Sequence, residues 1–197
     1  MGRWIACALA LALAGCAANQ KTMSRDEFIN TTQRSYEGVT EREFYQAAER
    51  LFTLSDGDDT TFAYPGEHSM VAQRNWMIYL VLSFTQGTHT WQIATEPTDT
   101  GLDATVYASI QSGAVHGMIG GRGGASTSTI PTMQNIVNTP AVYELFWSRM
   151  DYLLGKSESW PTCDDWKAKL RQGETYGLIE PLCLAANTDD LLPEELR

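Results

Sequence analysis

The sequence predicts an α+β fold: an antiparallel β meander of four to five strands, helices packed on one face, and further helices toward the C-terminus. Two observations carry this. Apolar residues recur at helical spacing over residues 41–54 and again after Pro140, whereas between Thr60 and Ile110 the period drops to two. A sheet with one apolar face must also be covered, and the 41–54 helix is the nearest cover.

Each element has its own signal. Ser24-Arg-Asp-Glu27 has the form of a capping box and predicts a brief helix to Arg34. Thr40-Glu-Arg-Glu43 is a second box, and behind it Phe44, Ala47, Ala48, Leu51 and Phe52 fall on one helical face. Asp56-Gly57-Asp58-Asp59 reads as the turn that ends this helix. Strands are expected over Thr61–Tyr64 and Ser69–Arg74, with Pro65-Gly66 between them. Asn75–Thr85 and Thr88–Thr95 read as a hairpin turning at Gln86-Gly87, which sets Leu82 opposite Trp91 and Leu80 opposite Ile93. Leu102, Ala104, Val106, Ala108 and Ile110 continue the alternation, with Asp103, Thr105, Tyr107 and Ser109 facing outward. Thr139 is an N-cap with Pro140 at the first helical position, and Gly155 ends that helix. A last short helix is expected over Cys163–Gln172, with Asp164 and Asp165 in its first turn.

The N-terminus speaks to location. Arg3 is followed by eleven uncharged residues, Trp4–Ala14, a length that suits a secretory signal and is too short to span a bilayer. Leu13-Ala14-Gly15-Cys16 closes the run. This stretch resembles the lipobox signal peptide of bacterial lipoproteins. The resemblance implies cleavage before Cys16, a diacylglycerol thioether on the Cys16 sulfur and an acyl chain such as palmitate on the new amino group. A thiol is needed because the thiolate is the nucleophile. Several acyl chains make a stable anchor where one gives marginal binding. Ala17, standing where an Asp would signal inner-membrane retention, implies the outer membrane, facing the periplasm. The expected organisation is a signal peptide over 1–15, a lipidated tether over 16–39, one α+β domain over 40–187 and an acidic tail over 188–197.

Charge narrows the partners. The chain has 14 basic and 24 acidic side chains. Removal of Arg3 with the signal leaves 13 against 24, a net charge of about −11. That excludes a nucleic-acid partner and a polybasic grip on anionic lipid. The expected partners are the membrane, through the acyl chains on Cys16, and an envelope protein. Cys7 leaves with the signal and Cys16 is lipidated, so Cys163 and Cys183 remain as an even pair in an oxidising compartment and are expected to form a disulfide.

Six of the twelve residues from Gly113 to Gly124 are glycine. No lysine lies between Lys21 and Lys156, so this is no P-loop, and the meander context excludes a dinucleotide fingerprint. The stretch reads as a long flexible loop in which His116, Met118, Ile119 and Arg122 are the candidate binding residues. A loop opening at Asp56-Gly57-Asp58-Asp59 has Thr61 at the sixth position, where an EF-hand requires glycine, and His68, His89 and His116 form no local ligand pair, so neither metal nor cofactor is expected. All three histidines are expected at the surface or half-buried. The tryptophans are read as core. Without a catalytic signature, the expected function is non-enzymatic, an interaction or assembly component of the envelope. A module binding a small apolar ligand between helix and sheet is the runner-up. A cleft with convergent carboxylates or histidines would point to an enzyme.

Overall fold

In a computed structural model, residues 23–56, 59–80, 83–120, 124–129, 133–170 and 181–183 are described. Helix α1, Arg25–Thr32, opens on the Ser24 capping box, with Glu27 N–H donating to Ser24 Oγ at 3.2 Å and Ser24 N–H to the Glu27 carboxylate. It is shorter than expected. Thr32 Oγ donates back to the carbonyls of Phe28 (2.9 Å) and Ile29 (3.2 Å), and Gln33 is already extended. Residues Gln33–Glu37 then form strand β1, which the sequence did not announce, because only Tyr36 of the five is buried. Helix α2, Glu41–Asp56, starts on the Thr40 capping box (Thr40 N–H to Glu43 Oε2, 2.8 Å) and buries Phe44, Ala47, Ala48, Leu51 and Phe52.

The antiparallel sheet contains β2 (Thr60–Gly66), β3 (Ser69–Leu80), β4 (Ser83–Pro97), β5 (Gly101–Gly120), β6 (Gly124–Thr129) and β7 (Met133–Ile136). The main path runs β1-β5-β4-β3-β2. Strand β5 is its spine. Residues 102–116 of β5 pair with β4, while its other edge receives β1 at 101–105, β7 at 109–112 and β6 at 115–120. Helices α3 (Pro140–Leu153) and α4 (Cys163–Leu170) follow. The α+β class, the meander and the helical cover agree with the sequence reading.

Two sequence expectations are corrected. The β3–β4 hairpin does not turn at Gln86-Gly87. Pairing runs straight through those two residues and on to Leu80 opposite Ser83, and Ala72 rather than Leu82 stands opposite Trp91. Gly87 lies inside β4, opposite Trp76. Its missing side chain makes room: a Cβ there would come within 2.5 Å of Trp76 Cζ2 and closer still to the Gln111 carbonyl. The glycine marks close approach, which in sequence looks like a turn. The second correction concerns Gly113–Thr129. The backbone of 113–120 continues β5, and 124–129 returns as β6, with Met118 opposite Ser126 and Ile119 opposite Ala125. The Ser/Thr-rich run supplies the partner strand that the glycines conceal.

The core lies where helices meet the covered half of the sheet. Met70 and Ala72, Trp91 and Ile93, and Leu102 through Ala108 supply the sheet side. Trp91 stacks on Phe146 of α3 at 5.2 Å and tilts against Phe52 of α2 at 5.5 Å. Tyr143 ties α3 to the spine: its hydroxyl donates to Val137 O (2.9 Å) and accepts from Ala108 N–H (3.2 Å). Burial pushes this phenol up to about 12.

Gly87→Ala is expected to lower stability by about 1–3 kcal/mol, because the methyl collides with an indole and a backbone carbonyl in a packed strand. Chemical denaturation checks this, with the exposed neighbour Gln86→Ala expected to stay within about 0.5 kcal/mol of the parent.

Candidate functional site

Three places concentrate chemistry. The first is the C-terminal clamp. Cys163 and Cys183 are joined, with Cα atoms 5.8 Å apart, as the cysteine count predicts. Thr162 and Asp165 form the capping box of α4, donating Thr162 Oγ–H to Asp165 Oδ2 at 2.7 Å, and these bonds hold the Asp165 carboxyl below its usual range. Beneath lies Arg149 of α3, fully buried. Its guanidinium donates to Ser55 Oγ (2.6 Å), Leu182 O (3.3 Å) and Pro161 O (3.2 Å), and sits 4.7 Å from the centre of the Trp160 ring. Arg149 therefore links the end of α2 to the disulfide loop. In the sequence it is one basic residue in an apolar helical run, a pattern equally consistent with a solvent-facing side chain. The clamp is structural. Loss of the disulfide through the paired Cys163→Ser and Cys183→Ser changes is expected to cost about 3 kcal/mol for a loop of this size, read from denaturant melts beside the oxidised parent.

The second place is a cleft of about 440 Å³ at the N-terminus of α2, lined by Glu41, Arg42, Tyr45, Glu49, Tyr64 and Glu67 among others. The capping register puts Glu41 at the first turn, and the β2–β3 turn brings His68 to it, Nδ1 to Oε2 at 2.7 Å. Thr95 of β4 donates to the same oxygen at 2.5 Å, and Tyr45 OH joins Thr95 Oγ at 2.8 Å. Tyr64 OH donates to Glu49 Oε1 at 2.5 Å. Burial opposes ionisation of Glu41, but hydrogen bonds from Thr95 and His68 prevail and hold the carboxyl below its usual range. The Glu41 hydrogen bond raises the His68 imidazole against a smaller opposing desolvation. The pair can hold and exchange a proton.

A sign follows for pH. The raised His68 contributes stability below its unfolded pKa and loses it as pH rises through the folded value. The lowered Glu41 contributes above its unfolded pKa and loses it as pH falls through the folded value. The pair is thus most favourable between roughly pH 4.5 and 6.5. An NMR titration should place His68 above the ordinary imidazole value of 6.5, and Glu41→Gln should lower it. An unchanged midpoint in that variant would contradict the pairing.

The third place is the half of the sheet beyond the helices. His116, Met118 and Ile119 lie on β5 opposite Ser128, Ser126 and Ala125, and Arg122 falls outside the described residues. The structure thus puts three of the four expected loop residues on a paired strand. His68 is half-exposed, as expected, but His89 is 1 % exposed, set 5.9 Å from the Trp76 ring at the border of the core. The expectation of a surface or half-buried His89 is corrected: it shares the inward parity of Trp91 and Ile93. Trp76, Trp91, Trp147 and Trp160 are buried. Asp56 ends α2 and Asp59 precedes β2, and among the described residues no three His, Cys, Asp or Glu side chains converge as a metal site. Cys16 lies outside the described residues, among which no helix is long and apolar enough to cross a membrane.

On this surface, at 47 % and 77 % exposure, stand Met77 and Tyr79 of β3. An adjoining cleft of about 720 Å³ is lined chiefly by Asn75, Met77, Gln86, Thr88 and Gln111. Sequence alternation marks these residues as outward but cannot say that they meet across three strands. Comparison with known proteins adds no name: no family model, no curated protein and no solved structure matches the chain.

Proposed function

We propose that the chain is a lipid-anchored lipoprotein of the bacterial envelope, held at the outer membrane and facing the periplasm, where it acts as a non-enzymatic interaction or assembly component. The observation that carries this reading is Leu13-Ala14-Gly15-Cys16, followed almost at once by a folded domain that opens on the Ser24 capping box. Residues 17–22 extend at most about 20 Å, so the domain rides close to the bilayer. The Cys163–Cys183 pair suits an oxidising compartment.

Support for interaction over a small apolar ligand comes from the core. The space between helices and sheet is occupied by Trp91, Phe52, Phe146 and Tyr143 in mutual ring contact. Surface for a partner lies instead along the half of the sheet that no described helix covers.

Cys16→Ser removes the thiol that would carry the lipid. The expected result is loss of the mature protein from the membrane fraction and appearance of unprocessed or soluble chain. Ala17→Asp should move the lipidated protein toward inner-membrane fractions. Recovery of Cys16→Ser in the membrane at the mature mass would overturn the anchor.

A further inference from the structure

We propose that the open edge of β3 from Asn75 to Leu80 is a docking site for an extended peptide segment of a partner protein, which adds to the sheet as a strand and sets alternate side chains into the adjoining cleft. This deepens the partner reading above and rests on it for the claim that the ligand belongs to a protein.

The edge comes first. Strand β2 pairs with β3 only from Ser69 to Arg74, while β4 follows β3 all the way to Leu80. From Asn75 onward, among the described residues, β3 has a neighbour on one side only. A free strand edge presents alternate main-chain N–H and C=O groups in the plane of the sheet. Native proteins blunt such edges with charge, proline or a bulge. Asn-Trp-Met-Ile-Tyr-Leu contains no charged residue and no proline, and its pairing to β4 runs without a register shift. An edge without charge, proline or bulge, beside exposed Met77 and Tyr79, is a template for strand addition.

The cleft is the second, independent observation. It opens at this edge and is lined by the carboxamides of Asn75, Gln86 and Gln111, the carboxylate of Asp59, and the side chains of Trp76 and Met77. Asn75, Thr88 and Gln111 stand in one row across β3, β4 and β5. Thr88 Oγ donates to Asn75 Oδ1 at 2.8 Å, which turns the Asn75 amide so that its N–H groups face away from Thr88. Carboxamides pair with peptide groups as donor and acceptor at once. Trp76 is 6 % exposed, and its Nε1–H has no acceptor among the described residues.

Charge selects the occupant. The cleft lining offers one carboxylate and no cation, in a chain of net charge −10. An uncharged or basic segment suits it, and an acidic one does not. A second copy of this chain would bring the same net charge. A neutral glycan could engage the carboxamides but leaves the main-chain edge unused, whereas an extended peptide satisfies both.

The test uses the full lipidated chain in neutral detergent micelles, panned against a phage-displayed library of random dodecapeptides, with enriched sequences remade synthetically. The expected result is enrichment of peptides with alternating apolar residues and no acidic ones. Affinity should fall at least about tenfold when the residues of one parity are N-methylated and stay level when the other parity is methylated. Met77→Pro, which an edge strand tolerates, should cause a similar loss. Met77→Lys serves the same purpose should the proline variant melt early. The proposal is overturned by absence of enrichment over bare micelles, by indifference to N-methylation of either parity, or by equal binding in both Met77 variants. Displacement by a neutral oligosaccharide, or a dimer that Met77→Lys dissociates, also overturns it by assigning the cleft to a glycan or a second copy. None of these outcomes depends on the fractionation of Cys16→Ser, so failure here and failure of the anchor are read separately.

Discussion

A mismatch of lengths governs this structure. Strand β5 has 20 residues and runs about 65 Å along the chain, whereas α2, with 16 residues, is about 24 Å long. Among the described residues the helices reach only part of the sheet they pack on. The covered half holds the aromatic core around Trp91, and the other half continues as β3–β4–β5–β6 without a helix against it among the described residues. The strongly alternating segment of β5 ends near Ile110, the buried border is drawn by Trp76 and His89, and the exposed residues Met77 and Tyr79 lie past it.

The covered half is pinned by polar devices as much as by packing. Tyr143 fixes α3 to β5 through two backbone partners, and Arg149 gathers Ser55, Pro161 and Leu182 around one guanidinium. Asp151, in the last turn of α3, accepts from Arg34 at 2.7 Å and Tyr36 at 3.0 Å and so joins β1 to the same helix. Burial and the Asp151 charge both raise the Tyr36 phenol, which therefore stays a donor. These groups answer a local need: each buried donor or acceptor must find a partner once the helices close on the sheet.

The fold was legible wherever local chemistry decided it. The capping boxes at Ser24 and Thr40, the proline at the start of α3, the acidic first turn of α4 and the alternation of 102–110 all mark elements that the structure contains. The hairpin register was not legible, since Gly87 reads as a turn in sequence while serving an indole from the neighbouring strand. Trp91 and Ile93 were nevertheless correctly turned inward, because the true register keeps the parity of both strands. Strand β1 escaped notice for lack of apolar alternation, and β6 because glycine and serine carry little hydrophobic signal. Of the candidate sites, the disulfide was readable by elimination. The Glu41–His68 pair was not, since its members are 27 residues apart and meet only through the β2–β3 turn.

The account turns on the claim that one spine strand serves two regimes, a half locked by helices and a half left available. Amide hydrogen exchange along β5 in the purified full-length chain tests this most directly. Amides from Leu102 to Ile110 should exchange only through global unfolding, while those from Gln111 to Gly120 should be at least about tenfold less protected through local opening. Uniform protection along the whole of β5 in the isolated protein would mean that the second half has a cover of its own, and would contradict the division on which the docking surface rests.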